Sequence, residues 1–498
     1  MVTTPVSPSH SHSHPHPHNG PARPKRSQVS RACQRCRRLQ KGCSQVRPCQ
    51  RCIRVGLEAQ CIDGHGDDAH PQQQIQGNGA SWSFTQLPTS PESLNSYPLV
   101  SSPRQVVSLP TPVIEHCFPR FFSRLHPTIP ILSPEYLQVL IAKSELHQDD
   151  GEAHCLLAAA CAMVLLQVEE PHQKLFEAAG IQQDNVAYGM VLLDEALAAH
   201  HHLSRRFVPS LERALIAFFL YACQAGLCRH SQAFFFVREA TTLWLLLRIN
   251  EADELRQSLS SRLFWVLLVS ERSHAIRYRR PVTLQITPSS PTLPSEAEFP
   301  GLCSLVSLFS PVDTPFIALY NQETAPSPAL ASFWLKTVET SILNALEQPG
   351  PLHETQVANL RITQLWLLVI LWQVRLRLGF LVDKSELRTL SYHHPLEIGQ
   401  ELVCVVDELT LDSIRLHGVG LTEKLFDIAC AMVDVLSRVP LTESSRARLG
   451  LKDEPETYLH NVRRLIRELP GGVEVYTQLL DKHIGATLPS ALSDQNGH

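Results

Sequence analysis

From about residue 113 to residue 484 the chain carries long runs in which apolar side chains recur at helical spacing or fill every position. The run Cys155 to Val168, CLLAAACAMVLLQV, is apolar almost all round, which predicts a helix buried on every side. Ile362 to Val374 has the same character and is bracketed by Arg361 and Arg375. Both runs fall short of the ~20 residues a membrane span needs, so both are assigned to a core and no membrane partner is expected. Ser133-Pro134-Glu135 is a helix start: a capping residue, proline at the first helical position and an early acid. No alternating pattern recurs with hairpin turns, which argues against a β-rich or doubly wound fold. The expected fold is mostly α.

Before residue 113 the pattern disappears. Residues 63–112 are dominated by Gly, Ser, Pro, Gln and Asn, as in PQQQIQGNG and LPTSPESLNSYP, and read as a long disordered linker. No sustained heptad marks a coiled coil there. Residues 1–30 alternate His with Ser or Pro between Ser9 and His18 and read as a disordered tail. Residues 485–498 read as a second tail. Residues 31–62 stand apart, because their composition fits neither a core nor a linker.

Charge sharpens that division. The whole chain is nearly balanced at −4, yet no acidic residue occurs before Glu58. Eleven of the 44 basic residues lie in that stretch, leaving 33 against 48 acidic ones afterwards. A basic head on an acidic body is the footprint of a nucleic-acid-binding module joined to a regulatory domain. Within the head, Arg23-Pro24-Lys25-Arg26 suits a nuclear import signal.

The head also holds six cysteines, Cys33, Cys36, Cys43, Cys49, Cys52 and Cys61, spaced C-x2-C-x6-C-x5-C-x2-C-x8-C. With almost nothing apolar between them they cannot form a hydrophobic core, so a metal or disulfides must hold them. One tetrahedral zinc takes four thiolates and leaves a remainder. Two Zn2+ ions need eight coordination positions, which six cysteines fill when two of them bridge. The stretch divides into similar halves, each opening on C-x-x-C, and this suits Cys33 and Cys49 as the bridges. The alternative is a disulfide framework, since six is an even number.

These residues resemble the DNA-binding domain of the fungal zinc binuclear cluster transcription factors. The match covers all six cysteines, Arg37 after the second, and Arg47-Pro48 before the fourth. The resemblance implies two short helices around a metal pair, the first entering the major groove of double-stranded DNA. The first loop departs from the family's lysine-rich form at Gln40 and Gly42. Gln bonds adenine edges as Arg and Lys bond guanine, so a CGG-like triplet is expected without these residues fixing it. Arg37, Gln40 and Lys41 are the expected base contacts. Arg35, Arg38, Arg51 and Arg54 are the expected phosphate contacts.

The resemblance extends into the large region. Residues 226–250 look like the middle homology region of the same regulators, where a helical hairpin carries a basic turn; the matching residues are Arg229, His230, Phe235, Arg238, Glu239 and Ala240. Residues 262–284 follow the pattern RLFW…ER…RP-x-x-L of that domain. A weaker match, Ser413 to Val435 with His417-Gly418 and Lys424, looks like the C-terminal part of one subgroup. Glu271-Arg272 and Arg238-Glu239 are expected to be helix-face ion pairs rather than an effector site. Neighbouring histidines, His200 to His202 and His393-His394, point in different directions and are not expected to bind metal. The eight later cysteines are expected to be buried thiols.

No phosphate-binding, dinucleotide, zinc-protease or nucleophile-elbow motif occurs, and six shared thiolates leave neither zinc an open position. The expectation is therefore no enzyme. The chain reads as a nuclear, sequence-specific RNA polymerase II transcription factor, an activator serving a metabolic pathway or a secondary-metabolite gene cluster. Its small two-zinc module precedes an all-helical regulatory domain over 113–484 that contacts the transcription machinery. Homodimer and monomer both stay open. The competing reading is a zinc-cluster protein that binds other proteins, or senses redox or metal, without reading DNA sequence.

Overall fold

The computed structural model describes residues 43–44, 48–54, 61, 109–145, 151–204, 208–250, 252–347, 350–382 and 387–488, apart from the side chains of Arg51 and Ser444. The first tail with the basic run at residues 23–26, the linker to residue 108 and residues 489–498 lie outside these residues, whereas residues 485–487, read from sequence as tail, continue the last helix. The chain divides into two compact units, Met1–Ser90 and Pro91–His498. In the first, the described element is α1 (Gln50–Ile53), which begins directly after Cys49.

The second unit is helical throughout, with no strand among the described residues. Its first half contains α2 (Thr111–Arg120), running on into a π turn, then α3 (Pro134–Glu145), α4 (Glu152–Gln167), α5 (Asn185–Leu203), α6 (Leu211–Gly226), α7 (His230–Leu246) and α8 (Glu254–Tyr278). The connecting helices are α9 (Pro300–Phe309), α10 (Thr314–Tyr320) and α11 (Pro328–Asn344). The second half contains α12 (Glu354–Leu378), α13 (His394–Asp407), α14 (Leu411–Arg415), α15 (Val419–Arg438), α16 (Glu443–Leu449), α17 (Pro455–Glu468) and α18 (Thr477–Thr487).

Two all-round apolar helices set the two centres, as their sequences require. α4 is buried at every position from Ala153 to Leu165. Its alanines leave room for α5 and α6 to approach closely, while α2 and α3 cover the remaining sides. Each Leu so buried contributes on the order of 2 kcal/mol. α3 begins where the sequence places it, and Ser133 Oγ accepts the amide hydrogen of Tyr136 at 3.2 Å. α12 centres the second half, packed by α11, α13 and α15. Its two tryptophans, Trp366 and Trp372, are fully buried, and each indole N–H reaches an acceptor, Asp427 Oδ2 at 2.9 Å and the Ser391 carbonyl at 3.1 Å.

The second apolar run extends beyond its sequence bounds. α12 is 25 residues long and by length and composition could cross a membrane, so the length criterion used on the sequence does not exclude a span. Its most apolar window is 83% buried inside the protein, the placement of a core helix. α9 and α10, bent by 55° at their break, pass the same length test only when joined. The bracketing arginines are paired: Arg375 donates to Glu339 at 2.9 Å and Arg361 to Glu401 at 3.0 Å.

The halves meet where α8 packs on α9, α9 on α12, and α6 on α15. α6 and α7 form a helical hairpin that starts earlier than expected: residues 226–250 hold its turn, with Cys228 at φ 57° and Arg229, and its second helix. The weaker C-terminal match contains a break: α14 ends at Arg415, and Gly418 at φ +61° turns the chain into α15. An L-residue there would be strained.

Candidate metal centre

Local geometry brings three of the six predicted ligands together. Cys49 caps α1 from an extended conformation and Cys52 lies one turn later, so the C-x-x-C spacing puts both sulfurs on one side of the turn. Cys61 returns to them, and Cys49 N–H donates to Cys61 Sγ at 3.0 Å. The Sγ atoms of Cys49, Cys52 and Cys61 all lie within 4.8 Å of one another, and all three residues are buried. Cys43 packs against the group, while Ser44 Oγ accepts the Gln50 amide at 3.0 Å and ties the preceding loop to α1.

A tetrahedral zinc thiolate, with bonds of about 2.3 Å, places its sulfurs about 3.8 Å apart. The cysteine group is compatible with such an ion. Its donors are sulfur only, they are shielded from water, and among the described residues no apolar side chain joins the cluster to hold it by other means. An amide hydrogen on Cys61 Sγ further favours the thiolate form.

Of the predicted DNA contacts, Arg54 is described: it is exposed and follows α1, its N–H bonded to the Gln50 carbonyl at 3.1 Å. Cys33, Cys36, Arg35, Arg37, Arg38, Gln40 and Lys41 lie outside the described residues, as does the Arg51 side chain.

The candidates in the helical unit have structural partners. Arg238 pairs with Glu271 at 2.8 Å, and the other oxygen of Glu271 accepts the Leu284 amide at 2.9 Å. Arg272 is fully buried and donates to the carbonyls of Phe309 and Ser310; burial pulls its pKa down to about 10. Glu239 meets His200 at 3.0 Å, and His394 meets Glu397 at 3.0 Å. Of the later cysteines, Cys117, Cys155, Cys161, Cys223 and Cys303 are buried as expected; Cys404 is exposed, a departure from that expectation.

A second polar cluster went unassigned from sequence. Lys424, Arg277 and His274 converge on a small cavity between the halves. In the sequence Lys424 and the run RYRRP stand only as parts of a pattern, because their partners are on helices far apart in the chain.

No family profile matches the chain, and no solved structure matches it. Curated relatives do. A probable sucrose utilization protein of Candida albicans is 21% identical over 62% of this chain and 61% of its own length. A transcription activator of gluconeogenesis from Sclerotinia sclerotiorum is 33% identical over 17% of this chain and 21% of its own. One of the same description from Aspergillus terreus is 50% identical over 44 residues, 9% of this chain and 6% of its own. The chain thus covers less than two thirds of the length of these relatives. They agree with the resemblance carried by the cysteine spacing: the chain is similar to fungal proteins named as transcription activators.

Proposed function

We propose that this protein is a nuclear, zinc-dependent transcription factor that reads DNA sequence through its cysteine-rich head and activates genes of a metabolic pathway. The observation that carries the reading is the convergence of Cys49, Cys52 and Cys61 at the end of a basic head whose first acidic residue is Glu58. The relatives' names, gluconeogenesis and sucrose utilization, speak for carbon metabolism over secondary metabolism.

In this reading all six cysteines hold two zinc ions, with Cys33 and Cys49 bridging, and the metal supplies the folding energy that so small a core lacks. Arg35, Arg38, Arg51 and Arg54 grip phosphates and confer salt-dependent affinity. Arg37, Gln40 and Lys41 address base edges in the major groove. The helical unit transmits regulation to the transcription machinery.

The test is selection of bound duplexes from a random pool by the full chain with zinc, repeated with Cys49→Ser. A short enriched sequence, alone or in spaced pairs, that is lost in the variant supports the reading, and the spacing reports monomer or dimer. Arg37→Ala should relax one position at a cost of about 1–3 kcal/mol. Arg54→Ala should weaken all sequences alike and lower the salt slope by about 1. Salt-sensitive binding without any enriched sequence would turn the reading towards a protein-binding cluster.

A further inference from the structure

The cavity between the halves is lined from five helices, α6, α7, α8, α12 and α15, and has a volume of about 70 Å³. That is room for about five water-sized groups. Its walls are aromatic where Tyr221, Tyr278 and Trp366 contribute, and its charged groups are Arg277, Glu423 and Lys424.

Two cations, Arg277 and Lys424, face two carboxylates, Glu423 and Asp427, and both carboxylates are drawn to Arg277. Arg277 is paired with Asp427 and lies 3.7 Å from Glu423. Glu423 also accepts the hydroxyls of Tyr278 and Tyr476 and lies 3.9 Å from His230 Nδ1, so four groups engage it. Asp427 takes the Trp366 indole N–H as well. Lys424 is only partly exposed and donates to Thr363 Oγ1 at 2.7 Å, and its ammonium lies 5.6 Å from the Trp366 ring centroid. Among the described residues no carboxylate comes within ion-pair distance of it. Burial accordingly pulls its pKa down to about 8. A cation that has given up water without gaining a counter-ion is an expensive thing to keep.

Unused hydrogen-bonding capacity sits beside it. The Arg277 side chain is 5% exposed, and its Nη2 has no hydrogen-bond partner. His274 is 7% exposed, stacks on Phe234, and has no partner for Nε2. The cavity also borders the first turn of α15, a 20-residue helix whose N-terminal end is partially positive.

We propose that this cavity binds a small carboxylate, held as the counter-ion of Lys424 and hydrogen-bonded by Arg277 and His274. The volume suits an acid of two to four carbons. A doubly charged phosphate would bring two charges to one unanswered cation and set them beside Glu423. Because its lining comes from both halves, an occupant would tie α8 to α12 and α15, giving the helical unit a metabolite input. The site does not depend on the DNA-binding reading, and its test does not involve DNA.

The test is thermal unfolding and calorimetric titration of the full chain with sodium salts of two- to four-carbon carboxylic and hydroxycarboxylic acids. Sodium chloride at equal ionic strength and inorganic phosphate are the controls. Two variants report on the site. Lys424→Met removes the cation while keeping the rest of the unbranched side chain's length. Gly420→Leu fills the border: Gly420 is exposed, and a Cβ there meets no atom within 4 Å, so the fold can accept it. At least one carboxylate should raise the melting temperature saturably, with affinity about tenfold lower in Lys424→Met and binding lost in Gly420→Leu. The unliganded melting temperature of Gly420→Leu should stay within about 2 °C of the parent. The proposal is overturned if no carboxylate exceeds matched chloride, if phosphate alone stabilises, or if both variants respond as the parent does.

Discussion

His417 shows how far a single residue can be read, and where reading stops. The sequence marked it only as part of a weak match, and nothing nearby announced its state. In the structure its Nε2–H donates to the Thr355 carbonyl at 2.7 Å. Burial, assisted by the nearby Lys424 charge, pulls its pKa down to about 4. A histidine whose folded pKa lies below the unfolded value of about 6.5 takes up its proton on unfolding. The stability it contributes is complete above pH 6.5, falls away as the pH drops, and is gone near pH 4. That amounts to on the order of 3 kcal/mol. His126 and His274 shift the same way through burial, so the parent should lose melting temperature steadily over this range. His417→Gln keeps a donor for Thr355 but cannot titrate. Its melting temperature should fall less between pH 6.5 and pH 5, and parallel curves for variant and parent would refute the assignment. Lys424 and Arg277 illustrate the same limit: each partner lies on another helix, and one sequence does not reveal which helices meet.

At the scale of elements the sequence was far more legible. α4 and α12 were predicted from composition alone, because a helix apolar on every face has nowhere stable but a core. The start of α3 followed from Ser133 and Pro134. The extent of α12 did not, since its outer turns carry polar residues such as Gln356, Asn359 and Arg375 that find buried partners only in the folded unit. Close approaches between elements were equally invisible. Gly472, in the π turn after α17, is an example: a Cβ there would stand 1.8 Å from the Ile466 carbonyl oxygen. That contact is with backbone and cannot be relieved by a rotamer change. Gly472→Ala should therefore destabilise by about 2–4 kcal/mol. Gly226→Ala, at the end of α6 with nothing within 4 Å of its Cβ, should be neutral or slightly stabilising. Chemical denaturation of the two variants checks the contrast; equal midpoints would mean the turn yields freely.

For the molecule as a whole, the asymmetry of charge and cysteine already divided the chain, and the structure separates a first unit ending at Ser90 from a second beginning at Pro91. The two are held together by different physics. In the second, buried apolar helices supply the stabilisation. In the first, the described cluster consists of cysteines alone around a four-residue helix, too little apolar surface to offset the entropy of ordering the chain. If metal is what holds that cluster, its removal should act on one unit only. Chelation with EDTA should abolish binding to any duplex recovered by selection, while the main thermal transition and the helical circular dichroism stay within error of the untreated protein. Readdition of zinc should restore binding, since thiolates kept reduced can refold around the ion. A main transition lowered together with DNA binding would instead mean that the helical unit depends on the metal-held head for its own stability.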